Sequence, residues 1–581
     1  VSELNEPLRN LDPKMVKLAY PFVSVPSFSG SNNWAVTGEL SSSGKPILAT
    51  DPHQPHSIPN TFFYAHLNAG SWDAFGAAFA GVPYFMMGYT TDIAWGLTTG
   101  CVDCYDLFIE EIKSDQYRTQ SGWQSLETQK ETIEIKGKSS REITIHKTHH
   151  GVLLEPLLKE LGMSSSIKEN YQTSLYWSLQ NVATSAGALA LLPTAKSAKE
   201  FGEFLFENEV CPLVNNIICV DKKSNLERYI ATTMPVRKGV TGSVPLPGWL
   251  DKYDFSLAKP EQLLVEENPA CGFALTANND TMGEKGDFYI HNFPSHKARA
   301  NRISELLNQK KKFSVEDFCF MQLDLLDLRA QEVLPELIKI MQESEDTEVQ
   351  LAVKLLSEWD CCATSESIAA CLYYPFLDRF WQRKFMHTVL KDDLVNLLPL
   401  GAPGLNRFDI ISFLTPNSPW TDHKQILKTI IQEEMRKVVD RVKLSLGKDY
   451  SKWRWGDLHK IQFWHSLSKH NMWKKLKLGP DDIGGSATTL GMSLHVGRGP
   501  GKTSENEVPC RVYHGPAYRL VVDLADPQRA KFVIAGGNGG RVDSEFCLNQ
   551  YSTWLKGQYF TLKLKRGEVE EHTVWQFNKI C

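Results

Sequence analysis

The 581-residue sequence is short of several things that would place it in a simple class. It has no excess of one charge sign: 63 Lys plus Arg stand against 68 Asp plus Glu, a formal net charge of -5. That near-balance, with no basic run, excludes a broad nucleic-acid-binding surface. No apolar stretch approaches the ~18 residues of a membrane span, and mean hydropathy is -0.29. The 12 cysteines are scattered, with Cys101 and Cys104 forming the only C-x-x-C. A zinc ribbon needs a second such pair, so packed thiols are the expected state.

Familiar catalytic signatures are missing as well. There is no G-x-S-x-G elbow of an α/β-hydrolase. GRGPGKT at 497–503 is one residue short of a phosphate loop, and Pro500 removes a backbone donor that such a cradle uses. His53/His56 and His149/His150 have no H-E-x-x-H context, so His56, His149 and His150 read as structural or solvent-facing. Hydrophobic residues at 42% and charged residues at 23% are those of a folded globular chain, and the length allows several domains or one large one.

What is present is strand, then helix, then strand. NNWAVTG, the turn SSSGKP and ILATD predict a hairpin. More strand signal follows in YFMMGYTTDIAWGL, CYDLFIEEI, NNIICVD and ERYIATT. Residues 296–446 read as mostly helical. Their clearest helix is Thr421–Leu446, with Ile426, Ile430, Met435, Val438, Val439 and Val442 at helical spacing and Gly447 as its stop. YRLVVDL, KFVIAG and QYFTLKLK return to strand. This order predicts one α+β body with a helical insertion.

At the junction of the Pro- and Ser-punctuated lead-in with the first strand stands Gly30-Ser31-Asn32-Asn33-Trp34. A serine there has the chemistry to cut its own chain. Its hydroxyl attacks the preceding carbonyl, an N-to-O acyl shift gives an ester, and water releases Ser31 as a new N-terminus. Glycine at 30 leaves the carbonyl uncrowded. The freed amine, with an ordinary pKa of about 7.7–8.0, is a base on the same residue as the nucleophile.

The run SGSNNWAVTGELSSSGKPILATDPH resembles the start of the catalytic chain in the penicillin acylase family. AGVPYFMMGYTTDIAWGLTTGCVDCYDLF, VPLPGWLDKYDF, GFALTANND, ARANRISELL, WRWGDLHKIQFWHSL, GPAYRLVVDL and QYSTWLKGQY follow in the family's order. The resemblance implies a four-layer αββα N-terminal-nucleophile hydrolase. Residues 1–30 then end the small chain and spacer, 31–295 begin the core, 296–446 insert helices, and 447–581 complete the core. It implies a self-processing serine amidohydrolase for N-acyl compounds of the penicillin, cephalosporin, acyl-homoserine lactone or acyl-peptide type. A small α chain from the same precursor would be the partner, and the location periplasmic or secreted. The alternative is a degenerate member that keeps the fold as a binding or structural protein.

By the same resemblance, Gly30 and Ser31 form the cleavage site and Ser31 is the nucleophile. His53 orients it, the Thr99 N–H and the side chain of Asn278, or of Asn279 one residue on, hold the oxyanion, and Arg302 supports the site. Gln54, Met87 and Cys101 fall at acyl-pocket positions that are aromatic in the penicillin G branch, which favours aliphatic acyl groups. Asp103, Tyr105, Asp106 and Asp287 fall where the family binds a structural calcium, a choice of hard oxygen donors that suits Ca2+. Near the C-terminus the sequence departs from the family, reading Gly536-Gly537-Asn538-Gly539-Gly540.

Overall fold

In a computed structural model, the described residues are 30–563 except 71, 161–169, 181–186, 208–210, 238–239, 241, 243–244, 283–293, 379–383, 386–387, 390–413, 415–420, 466, 468–476, 497–509 and 542. The lead-in before Gly30, the GRGPGKT loop and Asp287 therefore lie outside them.

The expected hairpin is the centre of the molecule. Ser31–Val36 runs antiparallel to Ile47–Pro55, with Ser31 opposite Pro52 and Val36 opposite Ile47. On its other side it pairs with Phe273–Thr276. All six residues of Ser31–Val36 are buried, because the strand is covered on both faces. Period-two alternation then sorts the side chains. Trp34, Val36, Ile47 and Ala49 point one way, onto Ala300, Ile303, Leu307, Phe313, Phe318 and Met321. These belong to the helices Ala298–Asn308 and Val315–Met321 and the turn between them. Ala35 and Leu48 point the other way, into the core shared with a second sheet. Trp34 is fully buried with its ring 5.7 Å from that of Phe318, a burial that contributes about 2–3 kcal/mol.

The first sheet has eleven strands and the second seven, the latter ordered Leu264–Glu267, Leu226–Ala231, Asn215–Asp221, Ile93–Thr99, Met87–Tyr89, Trp72–Phe79 and Phe62–Ala69. Helix Ala198–Leu205 covers the outer face of the second sheet through Phe201 and Leu205, and Phe201 lies 5.7 Å from the ring of Trp95. The layers are therefore helix, sheet, sheet, helix, the α+β arrangement expected from the sequence. A third, eight-stranded sheet is built around Tyr105–Lys113.

Helices Leu328–Gln342, Thr347–Ser357, Ala370–Asp378 and Lys424–Leu446 share a separate hydrophobic cluster. The long helix differs from the expectation in detail. It begins at Lys424 after a single 3-10 turn and stops at Gly447, whose φ is +93°. Ile426 is more than a third exposed, and Leu427 instead joins Ile430, Ile431, Met435, Val438, Val439 and Val442 inside.

Candidate active site

Strand pairing brings the ends of three strands to one place. Ser31 begins its strand at the mouth of the sandwich, Thr99 ends Ile93–Thr99, and Asn278 follows Phe273–Thr276 by two residues. The Ser31 N–H donates to Asn278 Oδ1 at 2.7 Å, and Asn278 Nδ2 donates to the Thr99 carbonyl at 3.0 Å. Asn278 sits at φ 62°, the left-handed region that asparagine tolerates better than most residues. That turn aims its carboxamide back across the sheet end. One of its two amide hydrogens serves Thr99, so a second remains for another acceptor.

Ser31 is 2% exposed. Its hydroxyl lies 2.5 Å from the Gly30 carbonyl oxygen, which also accepts the His53 backbone N–H at 2.9 Å. The carbonyl that precedes the serine is thus held and polarised by a neighbouring strand. A Cβ on Gly30 would stand 2.5 Å from His53 Nδ1 and 2.9 Å from Met492, so the residue before the serine has no room for a side chain.

The His53 ring is fixed from the far side. Its Nε2 is 3.1 Å from Asp51 Oδ2, with both side chains fully buried. Asn32 Nδ2 is 3.1 Å from that same Oδ2, 3.1 Å from the Leu490 carbonyl and 3.4 Å from His53 Nε2. The two hydrogens of Asn32 go to Asp51 and Leu490, so His53 Nε2 and Asp51 Oδ2 share one proton between them. Nδ1, which has no hydrogen-bond partner among the described residues, is turned toward Gly30. Burial, then the Arg299 charge, pushes the His53 pKa well below the ordinary histidine value, keeping the ring neutral. Burial pushes Asp51 well above the usual carboxylate range against the pull of Arg519, Asn32 and Arg299.

The arginine at this site is Arg299. Its Nη1 donates to the Ser31 carbonyl and to Asn32 Oδ1, both at 2.7 Å, and its Nη2 to Asn278 Oδ1 at 3.1 Å. Arg302, the residue expected from the sequence, faces away: it pairs with Asp324 at 2.8 Å and Glu305 at 3.2 Å. A rotation of three residues along helix Ala298–Asn308 makes the difference. Arg299 lies in line with buried Ile303 and Leu307 at i, i+4, i+8, a signal present in the sequence, whereas Arg302 does not. Asp51 and Asn32, which join this network, lie in the quoted motifs, but nothing in their spacing marks them for it.

Of the acyl-pocket positions, Met87 is fully buried with its sulfur 4.0 Å from Thr50 Oγ1. Gln54 is half-buried opposite Gly515. Cys101 is buried at φ 50°. Cys104 packs its thiol against Thr232 Oγ1 at 3.4 Å, and burial pushes it up to about 11, as for a packing residue. Asn538, in the loop that departs from the family, bonds both the N–H and the carbonyl of Tyr64.

The expected calcium donors meet a different cation. Arg237 Nε lies 3.1 and 3.0 Å from the two Asp106 carboxylate oxygens. Its Nη2 is 2.7 Å from Asp106 Oδ2, 3.0 Å from the Asp103 carbonyl, 3.4 Å from the Tyr105 carbonyl and 3.4 Å from Asp103 Oδ1. Gly242, at φ +71°, lets the chain pass so close that a Cβ would stand 2.2 Å from Asp106 Oδ1. Asp103, Tyr105 and Asp106 are thus gathered around a guanidinium, and Asp287, the remaining donor expected for calcium, lies outside the described residues.

The comparisons with known proteins agree with this fold. The penicillin amidase family model matches residues 2–571. The chain belongs to the penicillin amidase family. It is a hydrolase acting on amide bonds. The acyl-homoserine lactone acylase QuiP of Pseudomonas aeruginosa is similar to it at 26% identity, over 94% of this chain and 68% of that protein. Penicillin acylase 2 proenzyme of a Pseudomonas species is 24% identical over 90% of this chain and 66% of its own length. The chain thus spans about two thirds of the curated relatives it matches. In fold it resembles a thermostable penicillin G acylase from Alcaligenes faecalis, with TM-score 0.67 at 18% identity, covering 94% of this chain and 100% of that one. Among the described residues no helix of this penicillin amidase family member is long and apolar enough to cross a membrane.

Proposed function

We propose that this chain cuts itself between Gly30 and Ser31 and that the freed Ser31 hydrolyses the amide bond of N-acyl compounds. The observation that carries the reading is the Gly30 carbonyl. It accepts from the His53 backbone N–H at 2.9 Å and lies against the Ser31 hydroxyl at 2.5 Å. Attack by Ser31 Oγ on the Gly30 carbonyl carbon places negative charge on an oxygen that already has a backbone donor. Collapse expels the Ser31 nitrogen as the new amine, and water then opens the ester to leave a Gly30 carboxylate.

In the mature enzyme Ser31 Oγ attacks the substrate carbonyl and its own amine takes the proton. Asn278 Oδ1, which now accepts the Ser31 N–H, holds that amine, and His53 Nδ1 lies beside Gly30. The second hydrogen of Asn278 Nδ2 and the Thr99 backbone N–H stabilise the oxyanion, each such donor contributing about 3–4 kcal/mol. Arg299 fixes Asn278. The leaving amine departs with the proton, and water releases the acyl group from Ser31. Residues 1–30 are the tail of the small chain and the spacer, and the small chain stays as partner in a periplasmic or secreted enzyme.

The similarity to acyl-homoserine lactone acylases and penicillin acylases supports N-acyl lactones, penicillins and related acyl amides as the substrate class. Met87 and Cys101 support aliphatic over aromatic acyl groups, because the flexible methionine adapts to such chains and the cysteine is small and apolar.

Intact mass under denaturing conditions tests the reading. Wild type is expected as two chains with the larger one starting at Ser31, and Ser31→Ala as one uncut chain that releases no acyl group. A wild-type chain that stays whole and inert toward acyl-homoserine lactones, penicillins and acyl peptides would identify a degenerate binding or structural member instead.

A further inference from the structure

Strand Tyr105–Lys113 carries a second buried carboxylate, Glu110, four residues beyond Asp106. Its Oε1 accepts from Ser174 Oγ at 2.7 Å, Thr148 Oγ1 at 2.9 Å and His150 Nδ1 at 2.9 Å. The His150 ring also lies flat on Phe108, with centroids 3.6 Å apart and planes within 7°. Glu110 and Phe108 thus fix both the tautomer and the direction of His150: Nδ1 holds the proton and Nε2 points outward.

That outward nitrogen is 3.2 Å from Asp254 Oδ1. The adjacent His149 is arranged in the same way. Its Nδ1 is 3.3 Å from the Tyr117 hydroxyl, and its Nε2 is 3.8 Å from the same Asp254 Oδ1. The ligand atoms of His149, His150 and Asp254 all lie within 4.8 Å of one another. His149 is 37% exposed and Asp254 45% exposed at the side chain, so the cluster opens to solvent. It is separate from the Ser31 site.

Beyond the Glu110 contact, His150 Nε2 and Asp254 Oδ1 stand 3.2 Å apart, a spacing that a shared cation bridges. A proton would serve His150 alone and leave His149 Nε2 at 3.8 Å outside hydrogen-bond range. A metal ion uses all three groups. Bonds of about 2.0–2.2 Å in tetrahedral geometry put ligand atoms roughly 3.3–3.5 Å apart, a range that the 3.2 and 3.8 Å spacings to Asp254 straddle; the His149 ring, whose centroid is 3.8 Å from that of His150, has to turn off its neighbour to close the site. Two imidazoles and one carboxylate, each imidazole fixed through its other nitrogen, form the donor set and outer support that zinc prefers.

We propose that His149, His150 and Asp254 bind one zinc ion, with Glu110 and Tyr117 as positioning residues and the fourth position open to water. The ion would clamp the 148–151 turn to the 251–254 segment. The site was not legible in the sequence because Asp254 is 104 residues from His150.

The test uses the full chain, stripped with a chelator and titrated with Zn2+ against a chromogenic competitor. One zinc per chain is expected, and the Co2+-substituted chain should show tetrahedral visible absorption. His149→Ala and Asp254→Asn should weaken binding at least tenfold, and Glu110→Gln by about 10–100-fold, as for an outer-shell partner. His66→Ala, which removes an unrelated surface histidine paired with Asp73, should change nothing. Zinc should raise the melting temperature of wild type but not of Asp254→Asn, whose metal-free melting temperature should match wild type. Equal zinc binding by wild type, His149→Ala and Asp254→Asn, or none by any of them, would overturn the proposal and assign His150 a proton shared between two carboxylates. The readout is metal binding, so it stands apart from the amide-hydrolysis reading and can be repeated in Ser31→Ala.

Discussion

Arg299 Nη2 reaches Asn278 Oδ1 at 3.1 Å, and that same oxygen accepts the Ser31 N–H at 2.7 Å. The guanidinium therefore sets the carboxamide that in turn holds the serine nitrogen. Burial pulls the Arg299 pKa down to about 10, with Asp51 opposing, so it stays charged at neutral pH and its hydrogen bonds are of the stronger, charge-assisted kind.

Arg299→Gln is accordingly expected to lower kcat/KM by 10²–10³-fold, about 3–4 kcal/mol, a loss on the scale of removing an oxyanion donor. Arg302→Ala removes only part-exposed ion pairs and should leave activity near wild type, with stability changed by about 1 kcal/mol or less. Steady-state kinetics and urea midpoints for the two variants check this. Equal loss in both would show that the three-residue offset between them has no catalytic meaning.

Gly30 leaves 2.5 Å for a side chain before His53 Nδ1. Gly30→Val must displace the histidine or the carbonyl it faces. Cleavage at residue 30 should slow or stop while the chain still folds, followed by gel electrophoresis over time. Processing at the wild-type rate would mean that the contact with His53 is not what positions the bond.

Arg237 supplies the positive charge between Asp103 and Asp106. Addition of Ca2+ to the chelator-stripped chain is expected to leave the melting temperature unchanged. Arg237→Ala strands two buried carboxylates and should cost about 3–5 kcal/mol, read from denaturant unfolding. A clear rise in melting temperature when calcium is added to the stripped chain would contradict that role for Arg237.

His56 is buried with neither ring nitrogen hydrogen-bonded among the described residues, between the rings of Phe463 and Trp554 at 4.7 and 5.3 Å. Burial, with the nearby His514 and Arg519 charges, pushes its pKa well below the ordinary value. The unfolded chain therefore takes up a proton below about pH 6.5 that the folded chain refuses. This group's contribution is full above that pH and falls as the pH drops, by about 1.4 kcal/mol per unit. His56→Phe keeps the stacking and removes the titration. Its stability relative to wild type should be flat above pH 6.5 and rise steadily toward pH 5. A difference that does not change with pH would place the histidine in contact with water or charge.

The sequence by itself determined the hairpin, the strand–helix–strand order and the junction at Gly30-Ser31. These are written in local alternation, turn residues and contiguous motifs. Asn278 and His53 were legible too, because each sits in such a motif. Only the tertiary structure decided which of two arginines three residues apart turns inward, since helix phase at one polar position depends on what packs against it. Only it put Arg237 among Asp103, Tyr105 and Asp106, more than 130 residues away, and Asp254 beside His149 and His150. Charge pairing in a folded chain is fixed by sheet register and loop path, and neither leaves a mark in the spacing of the residues it joins.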